Sequence, residues 1–152
     1  MLIALDTNIL VYAEGVAFLA SDVEKPARVR DLLDALPDDA VVLPTQVLGE
    51  LYRVLVGKAK RSVAEARAAV LMWRDLYPPS DTTAAVMMAA IDLAADHRLS
   101  IWDSVVLAAA AEAGCRLLLS EDLQDGFTWR GLTVVNPFSA EPHPLLRAQI
   151  GG

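Results

Sequence analysis

The chain has 152 residues, of which 55% are hydrophobic, and both values are typical of one folded domain rather than a disordered chain. No apolar run reaches the ~18–20 residues of a membrane-spanning helix and no secretory leader precedes the first strand, so we expect a cytoplasmic protein with no membrane partner. A single cysteine excludes an internal disulfide, and two histidines disfavour a Cys/His zinc site. The formal charge of −7 argues against a broad nucleic-acid surface, although bound cations would reverse the charge locally.

Short apolar segments alternate with helical patterns along the chain. Because most of these segments are apolar at every position, they predict parallel strands covered on both faces. The expected strands are 2–5, 40–43, 117–119 and 132–135, and the expected helices start near Asp22, Thr45, Ser62, Asp81 and Asp103. The alternation predicts an α/β sandwich with a mainly parallel β-sheet flanked by α-helices.

The chain is expected to divide into one domain and a tail. Residues 1–139 carry all the predicted strands and helices. Residues 140–152 carry two prolines and end in Gly-Gly, so this C-terminal tail is expected to be loosely held.

Four carboxylates occupy informative places in this pattern. Asp6 directly follows the first strand, Glu50 lies on the helix after the second, and Asp122 follows the third. In an open parallel sheet, ligands bind at the carboxyl ends of the strands, so these acids are expected at one edge. Asp103 begins a helix, where backbone N–H groups favour negative charge.

A cluster of this composition predicts a metal site for phosphodiester chemistry. Mg²⁺ and Mn²⁺ prefer oxygen ligands, and clustered carboxylates raise one another's pKa unless a cation lies among them. One or two such ions would relieve the repulsion, bind a scissile phosphate, activate water and stabilise the leaving oxygen.

Each acid also has a purely structural interpretation. Asp6 and Asp103 are good helix N-caps, and Asp122 can simply solvate a loop. Glu50 can pair with Arg53 on the helix surface. These interpretations stay open for each residue alone, whereas the four acids together favour a site.

The ordered set of motifs resembles the PIN domain family, and specifically the VapC-type toxins of toxin–antitoxin pairs. The resemblance rests on Asp6-Thr7-Asn8-Ile9-Leu10 with Tyr12, on Glu50, on Ile101-Trp102-Asp103 before an alanine-rich helix, and on Leu119-Ser120-Glu121-Asp122. The last segment, Val135-Asn136-Pro137-Phe138, resembles the end of one PIN subgroup. Together these motifs span nearly the whole chain.

The resemblance implies a three-layer PIN-like fold and a Mg²⁺- or Mn²⁺-dependent endoribonuclease. It implies that Asp6, Glu50, Asp103 and Asp122 are both the catalytic and the metal-binding acids, supported by Thr7, Asn8, Ser120 and Asp125. It also implies an RNA substrate, a cognate antitoxin protein and a homodimer.

The chain departs from the family pattern beside the fourth motif. Many members continue into an Asp-Phe pair, whereas here Gly126 separates Asp125 from Phe127, which leaves the role of Asp125 open. Arg98 and Arg130 are candidates for phosphate contacts, with ordinary solvated arginines as the alternative.

Three rival functions share some of these features. A haloacid-dehalogenase-like phosphatase needs an acid where this chain has Asn8, and a receiver domain needs a late lysine, whereas no lysine follows Lys60. The third is a catalytically inactive PIN-like protein-interaction module, which the intact set of acids disfavours. Met72, Trp73 and Tyr77 could form either a partner surface or part of the core.

Overall fold

The computed structural model describes residues 1–151; Gly152, at the end of the predicted tail, lies outside the described residues. Within residues 1–151 six strands form one sheet: β1 (Leu2–Leu5), β2 (Val41–Pro44), β3 (Pro79–Ser80), β4 (Cys115–Leu119), β5 (Thr128–Trp129) and β6 (Leu132–Val135). The same range contains seven α-helices: α1 (Thr7–Ala13), α2 (Lys25–Ala35), α3 (Thr45–Gly57), α4 (Val63–Leu76), α5 (Ala84–His97), α6 (Ile101–Glu112) and α7 (Pro144–Ile150). A short 3-10 turn at Ala20–Asp22 precedes α2. In this described part of the chain, no helix combines the length and apolar character needed to cross a bilayer.

The sheet confirms the predicted α/β architecture. Its strand order is β3-β2-β1-β4-β6-β5, and every neighbouring pair is parallel except β5 with β6. Consecutive residues of β1, β2 and β4 are buried although they point to opposite faces, so helices cover the sheet on both sides. The result is a mainly parallel sheet between helical layers.

Several element boundaries differ from the sequence predictions. Helix α1 was not predicted, and α6 begins at Ile101, two residues before Asp103. Within the segment expected to be a loosely held tail, Pro144–Ile150 forms α7, and its Leu146 is buried. Pro144, one of the two prolines in this segment, lies in the first turn of the helix, where its missing N–H costs nothing. The domain boundary at residue 139 stays a prediction.

Helix α4 begins at the predicted capping box and buries its large aromatic residue. Ser62 accepts a hydrogen bond from the backbone N–H of Glu65, whose carboxylate accepts one from the Ser62 backbone N–H. Trp73 and Tyr77 are buried and stacked on each other, whereas Met72 is half exposed. The core interpretation therefore holds for Trp73 and Tyr77.

Candidate active site

The register of the two central strands brings the first and last acidic motifs together. Leu5 of β1 pairs with Leu119 of β4, so the residues that follow them, Asp6 and Ser120, lie side by side. The Ser120 hydroxyl donates to Asp6 Oδ2 over 2.7 Å. Asp6 Oδ1 accepts from the backbone N–H of Thr7 over 2.8 Å and caps α1. Asp6 is therefore both the N-cap of α1 and a member of a polar cluster.

Asn8 and Ser120 attach the loop after β4 to the start of α1. Asn8 Nδ2 donates to Asp122 Oδ2 over 3.1 Å and lies 3.4 Å from both Asp6 Oδ2 and Ser120 Oγ. Asn8 Oδ1 accepts from the backbone N–H of Glu121, and Ser120 Oγ accepts from that of Asp122. These contacts hold Asp122 on the same edge of the sheet as Asp6.

The other two predicted acids reach this edge from helices. Thr7 Oγ1 donates to Glu50 Oε2 over 2.6 Å, and Gln46, one turn earlier on α3, donates to Glu50 Oε1 over 3.1 Å. Asp103 lies in the first turn of α6, where its backbone N–H donates to Ser100 Oγ over 3.1 Å. Ser100, rather than Asp103, is therefore the N-cap, which leaves the Asp103 carboxylate free of that role.

Burial and mutual repulsion disturb the ionisation of two of these acids. Asp6 is only 5% exposed, and its desolvation raises the pKa to about 6, with further increases from the charges of Asp103 and Glu50. The hydrogen bonds from Ser120 and Thr7 act in the opposite direction. Burial also raises the pKa of Asp103, as do the nearby charges of Glu50 and Asp122. The four acids therefore form one electrostatically coupled group.

This donor set suits a hard divalent cation in its chemistry. In residues 1–151 none of the four acids forms a salt bridge with a lysine or arginine, so a cation would relieve repulsion that the protein leaves uncompensated. Within that range, no three Asp, Glu, His or Cys side chains converge closely enough to coordinate one ion. The types of residue therefore fit a hard divalent cation, whereas their present positions do not bring three carboxylates to one point.

Three further residues named from the sequence lie apart from the four acids. The Asp125 carboxylate accepts hydrogen bonds from the Asn136 backbone N–H and the Ser139 hydroxyl, at 2.9 and 3.1 Å, so it joins the loop after β4 to the segment after β6. Arg130 stacks on Trp129, with 4.4 Å between guanidinium carbon and ring centre. Arg98 ends α5 in the left-handed conformation. Among the described residues, no hydrogen bond links Arg98 or Arg130 to the acids.

Sequence reasoning missed an ion-pair network behind the cluster. Tyr12 donates a short hydrogen bond to Glu121, and Lys25 Nζ lies 2.6 Å from Glu121 Oε2 and 2.8 Å from Asp22 Oδ1. The network fixes Glu121, the neighbour of Asp122, against α1 and α2. Only the Asp22–Lys25 spacing of three residues hinted at it, because the other contacts join distant parts of the chain.

A groove of about 470 Å³ opens beside the cluster, and sequence reasoning missed this too. It extends from Asn8, Glu50 and Asp122 to Phe18 and Lys58. The detectable signal is the helical spacing on α3, which places residues 50, 53, 54 and 58 on one face.

The fold has well-defined relatives among solved structures. A toxin–antitoxin complex from Klebsiella pneumoniae is 19% identical, with a TM-score of 0.65, over 90% of this chain and 98% of that one. The Mycobacterium tuberculosis toxin VapC20, described as cleaving the sarcin-ricin loop, is 20% identical, with a TM-score of 0.60, over 76% and 86%. DNA-bound VapBC from Salmonella typhimurium is 16% identical, with a TM-score of 0.65, over 88% and 97%. At these identities the likeness shows a common fold.

The sequence itself carries the family assignment. No curated protein gives a significant match to the chain. Residues 3–125, which include all four acids, match the family described as PIN domain. On this match, and with a fold that VapC-type toxins share, the chain belongs to the PIN domain family.

Proposed function

We propose that the chain is a divalent-metal-dependent endoribonuclease and the toxin of a toxin–antitoxin pair. The observation that carries the proposal is the group of acids at the end of the central strands, where Ser120, Thr7 and Asn8 hydrogen-bond to Asp6, Glu50 and Asp122 and the charges of Asp103 and Glu50 act on Asp6. In residues 1–151 no lysine or arginine forms a salt bridge with any of the four. The family match and the toxins among the structural neighbours support the same function.

In the proposed site Asp6 and Asp103 would be the main residues that hold Mg²⁺ or Mn²⁺, and Glu50 and Asp122 would assist them. A bound cation would balance the carboxylates, polarise the phosphodiester and lower the pKa of water. The reaction adds water across the P–O3′ bond, so it leaves a 5′ phosphate and a 3′ hydroxyl.

The polar neighbours would position these acids. Ser120 and the Thr7 backbone N–H each donate to one oxygen of Asp6, and the Thr7 hydroxyl and Gln46 each donate to one oxygen of Glu50, so the orientation of both carboxylates is held from two sides. Asn8 orients Asp122 in the same way. Such neighbours fix ligand orientation at metal sites, and their loss typically costs 10–100-fold in metal affinity or activity.

The partners of the proposed toxin are a cognate antitoxin protein and a second copy of the chain. Several similar structures are described as complexes of VapB and VapC or of a toxin with an antitoxin, which supports the antitoxin. The homodimer rests on the family resemblance alone, and the proposed RNA substrate implies a cytoplasmic location. Light scattering on the isolated chain tests the dimer, since a monomeric mass at working concentration contradicts it.

The decisive experiment incubates the purified, antitoxin-free protein with total RNA in Mg²⁺ or Mn²⁺, beside an EDTA control. The Asp6→Asn variant tests the site, and Asp92→Asn, an exposed acid on α5, is the matched control. We expect discrete cleavage that needs both the metal and Asp6 and that survives in the control.

Absence of cleavage by the folded, metal-loaded protein on every RNA pool would contradict the proposal. That outcome would favour the alternative, a catalytically inactive PIN-like protein-interaction module.

A further inference from the structure

The groove beside the acidic cluster follows one face of α3. Glu50, Arg53, Val54 and Lys58 all line it, at the three- and four-residue spacing of neighbours on a helix. From Glu50 to Lys58 this face extends about 12 Å along the helix axis. The groove therefore leads away from the four acids along a surface that carries positive charge.

The charged side chains around the groove differ in whether another side chain balances them. Lys25 bridges Asp22 and Glu121, so part of the negative charge of the walls is already balanced. Arg53 and Lys58 are exposed and form no salt bridge within residues 1–151. Their charges stay available to an anionic ligand whose reacting group lies at the acids.

An aromatic face lies beside these cations. Phe18 and Leu19 line the groove, and their side chains are 47% and 62% exposed. Lys58 Nζ lies 5.3 Å from the centre of the Phe18 ring. An exposed ring next to a cation is the combination that proteins use to bind single-stranded nucleic acids, with a base on the ring and a phosphate on the cation.

We propose that this groove holds a single-stranded segment of the RNA substrate. Arg53 and Lys58 contact its phosphates, Phe18 stacks against a base, and the strand continues to the carboxylates that cut it. This proposal rests on the proposed function, and it adds the substrate-positioning residues that the four acids do not supply.

The arrangement favours RNA over a basic peptide. The acids of the groove would attract such a peptide, but Arg53 and Lys58 would repel it along α3. An RNA strand avoids this conflict, because its phosphates face the two cations and its scissile group is balanced at the acids by divalent cations.

Binding and cleavage can be measured separately. In the Asp6→Asn background with Mg²⁺, fluorescence anisotropy follows the binding of a short labelled single-stranded RNA of mixed sequence over a range of salt concentrations. Each lost phosphate contact lowers the magnitude of the log–log salt slope by about 0.7, so we expect a drop of about 1.4 on adding Arg53→Ala and Lys58→Ala. Phe18→Ala should weaken binding roughly 10-fold.

The control adds Arg67→Ala and Arg116→Ala, two exposed arginines outside the groove, and should leave the slope unchanged. With Asp6 intact, the Arg53→Ala, Lys58→Ala double variant should raise KM far more than it lowers kcat.

Each outcome separates the two proposals. If the wild-type protein cleaves RNA but the groove variants keep its salt slope and KM, the groove proposal is wrong and the nuclease stands. If no RNA is cleaved but binding depends on Arg53 and Lys58, the groove stands and the nuclease is wrong. Tighter binding of an arginine-rich peptide by the double variant, with unchanged RNA binding, would assign the groove to a protein partner.

Discussion

Two carboxylates at opposite ends of α1, Glu14 and Asp6, have neighbours of opposite kinds. Glu14, at the end of α1, pairs with Arg61 and accepts a hydrogen bond from the Trp73 indole over 2.9 Å, while Arg61 also donates to the Glu14 carbonyl. At the start of the same helix, Asp6 accepts hydrogen bonds from an uncharged hydroxyl and from amide N–H groups. The charged groups that act on it are the carboxylates of Asp103 and Glu50, which repel it.

The difference shows how to tell a structural acid from a candidate ligand in this chain. The charge of Glu14 is balanced inside the protein, so the contact joins α1 to α4 and needs nothing from solvent. The charge of Asp6 is opposed by burial and by its neighbours, so the protein bears a cost that only protonation or a cation removes. A carboxylate kept at such a cost is a functional candidate.

The strongest test of this comparison is cleavage by variants of the acidic cluster. Glu50→Gln and Asp103→Asn should each lower the cleavage rate by roughly 100-fold or more, since even outer-shell changes at metal sites cost 10–100-fold. Single-turnover cleavage of RNA in excess Mg²⁺ measures this, with Asp92→Asn as the control. If Arg61→Met lost as much activity as these variants, the distinction between the two groups would fail.

The second test is the pH dependence of stability in metal-free protein. Because Asp6 has a raised pKa of about 6, the folded state holds a proton that the unfolded state releases near pH 4. The free energy of unfolding should therefore fall, by up to about 3 kcal/mol, as the pH rises from about 4 to about 6. Urea titrations in EDTA across this range measure the loss.

A variant and a metal titration isolate the contribution of Asp6 to this pH dependence. Asp6→Asn should flatten this dependence relative to the wild type, and Mg²⁺ should restore stability above about pH 6 but not near pH 4. An equal pH dependence in the two proteins would contradict the assigned cost.

The third test addresses the balanced group. Arg61→Met should lower the free energy of unfolding by about 2 kcal/mol, less than for a fully buried pair because the Arg61 side chain is 26% exposed. Cleavage should be unchanged. Urea denaturation measures the loss, and Arg67→Met, at an exposed residue on α4, is the matched control. An Arg61→Met protein that is as stable as the wild type but inactive would contradict this prediction.

The smallest expected effect belongs to Asp125. Asp125→Ala removes hydrogen bonds to Asn136 and Ser139, so it should lower stability by about 1 kcal/mol and leave cleavage unchanged. Thermal unfolding and the RNA assay measure both quantities. Loss of activity without loss of stability would return Asp125 to the acidic site.

The sequence predicted the features that depend on local pattern. The uniformly apolar strands predicted the parallel sheet, and Thr45 and Ser62 predicted the starts of two helices. The positions of Asp6 and Asp122 after strands predicted that both lie at one edge of the sheet. Helix α1 was missed because Thr7–Ala13 is mostly apolar and only seven residues long, so it shows no helical period. Helix α7 was missed because the burial of Leu146 depends on tertiary packing.

Within the candidate site, side-chain partners escaped prediction for a similar reason. Local sequence places Asp125 beside Asp122, but the fold turns its carboxylate toward Ser139. The exposure of Phe18 and the position of its ring beside Lys58 depend on how the loop after α1 meets the end of α3. Contacts between distant segments leave no periodic signal.

If the chain cuts RNA as proposed, the pairing of β1 with β4 also determines when a newly made copy becomes active. Asp6 and Ser120 touch although they are 114 residues apart, and Asp122 comes still later. On the ribosome, a nascent chain that has made β1, α1 and Glu50 still lacks the strand against which Asp6 is completed. Newly made copies should therefore stay inert until most of the chain has left the exit tunnel and β4 can pair with β1.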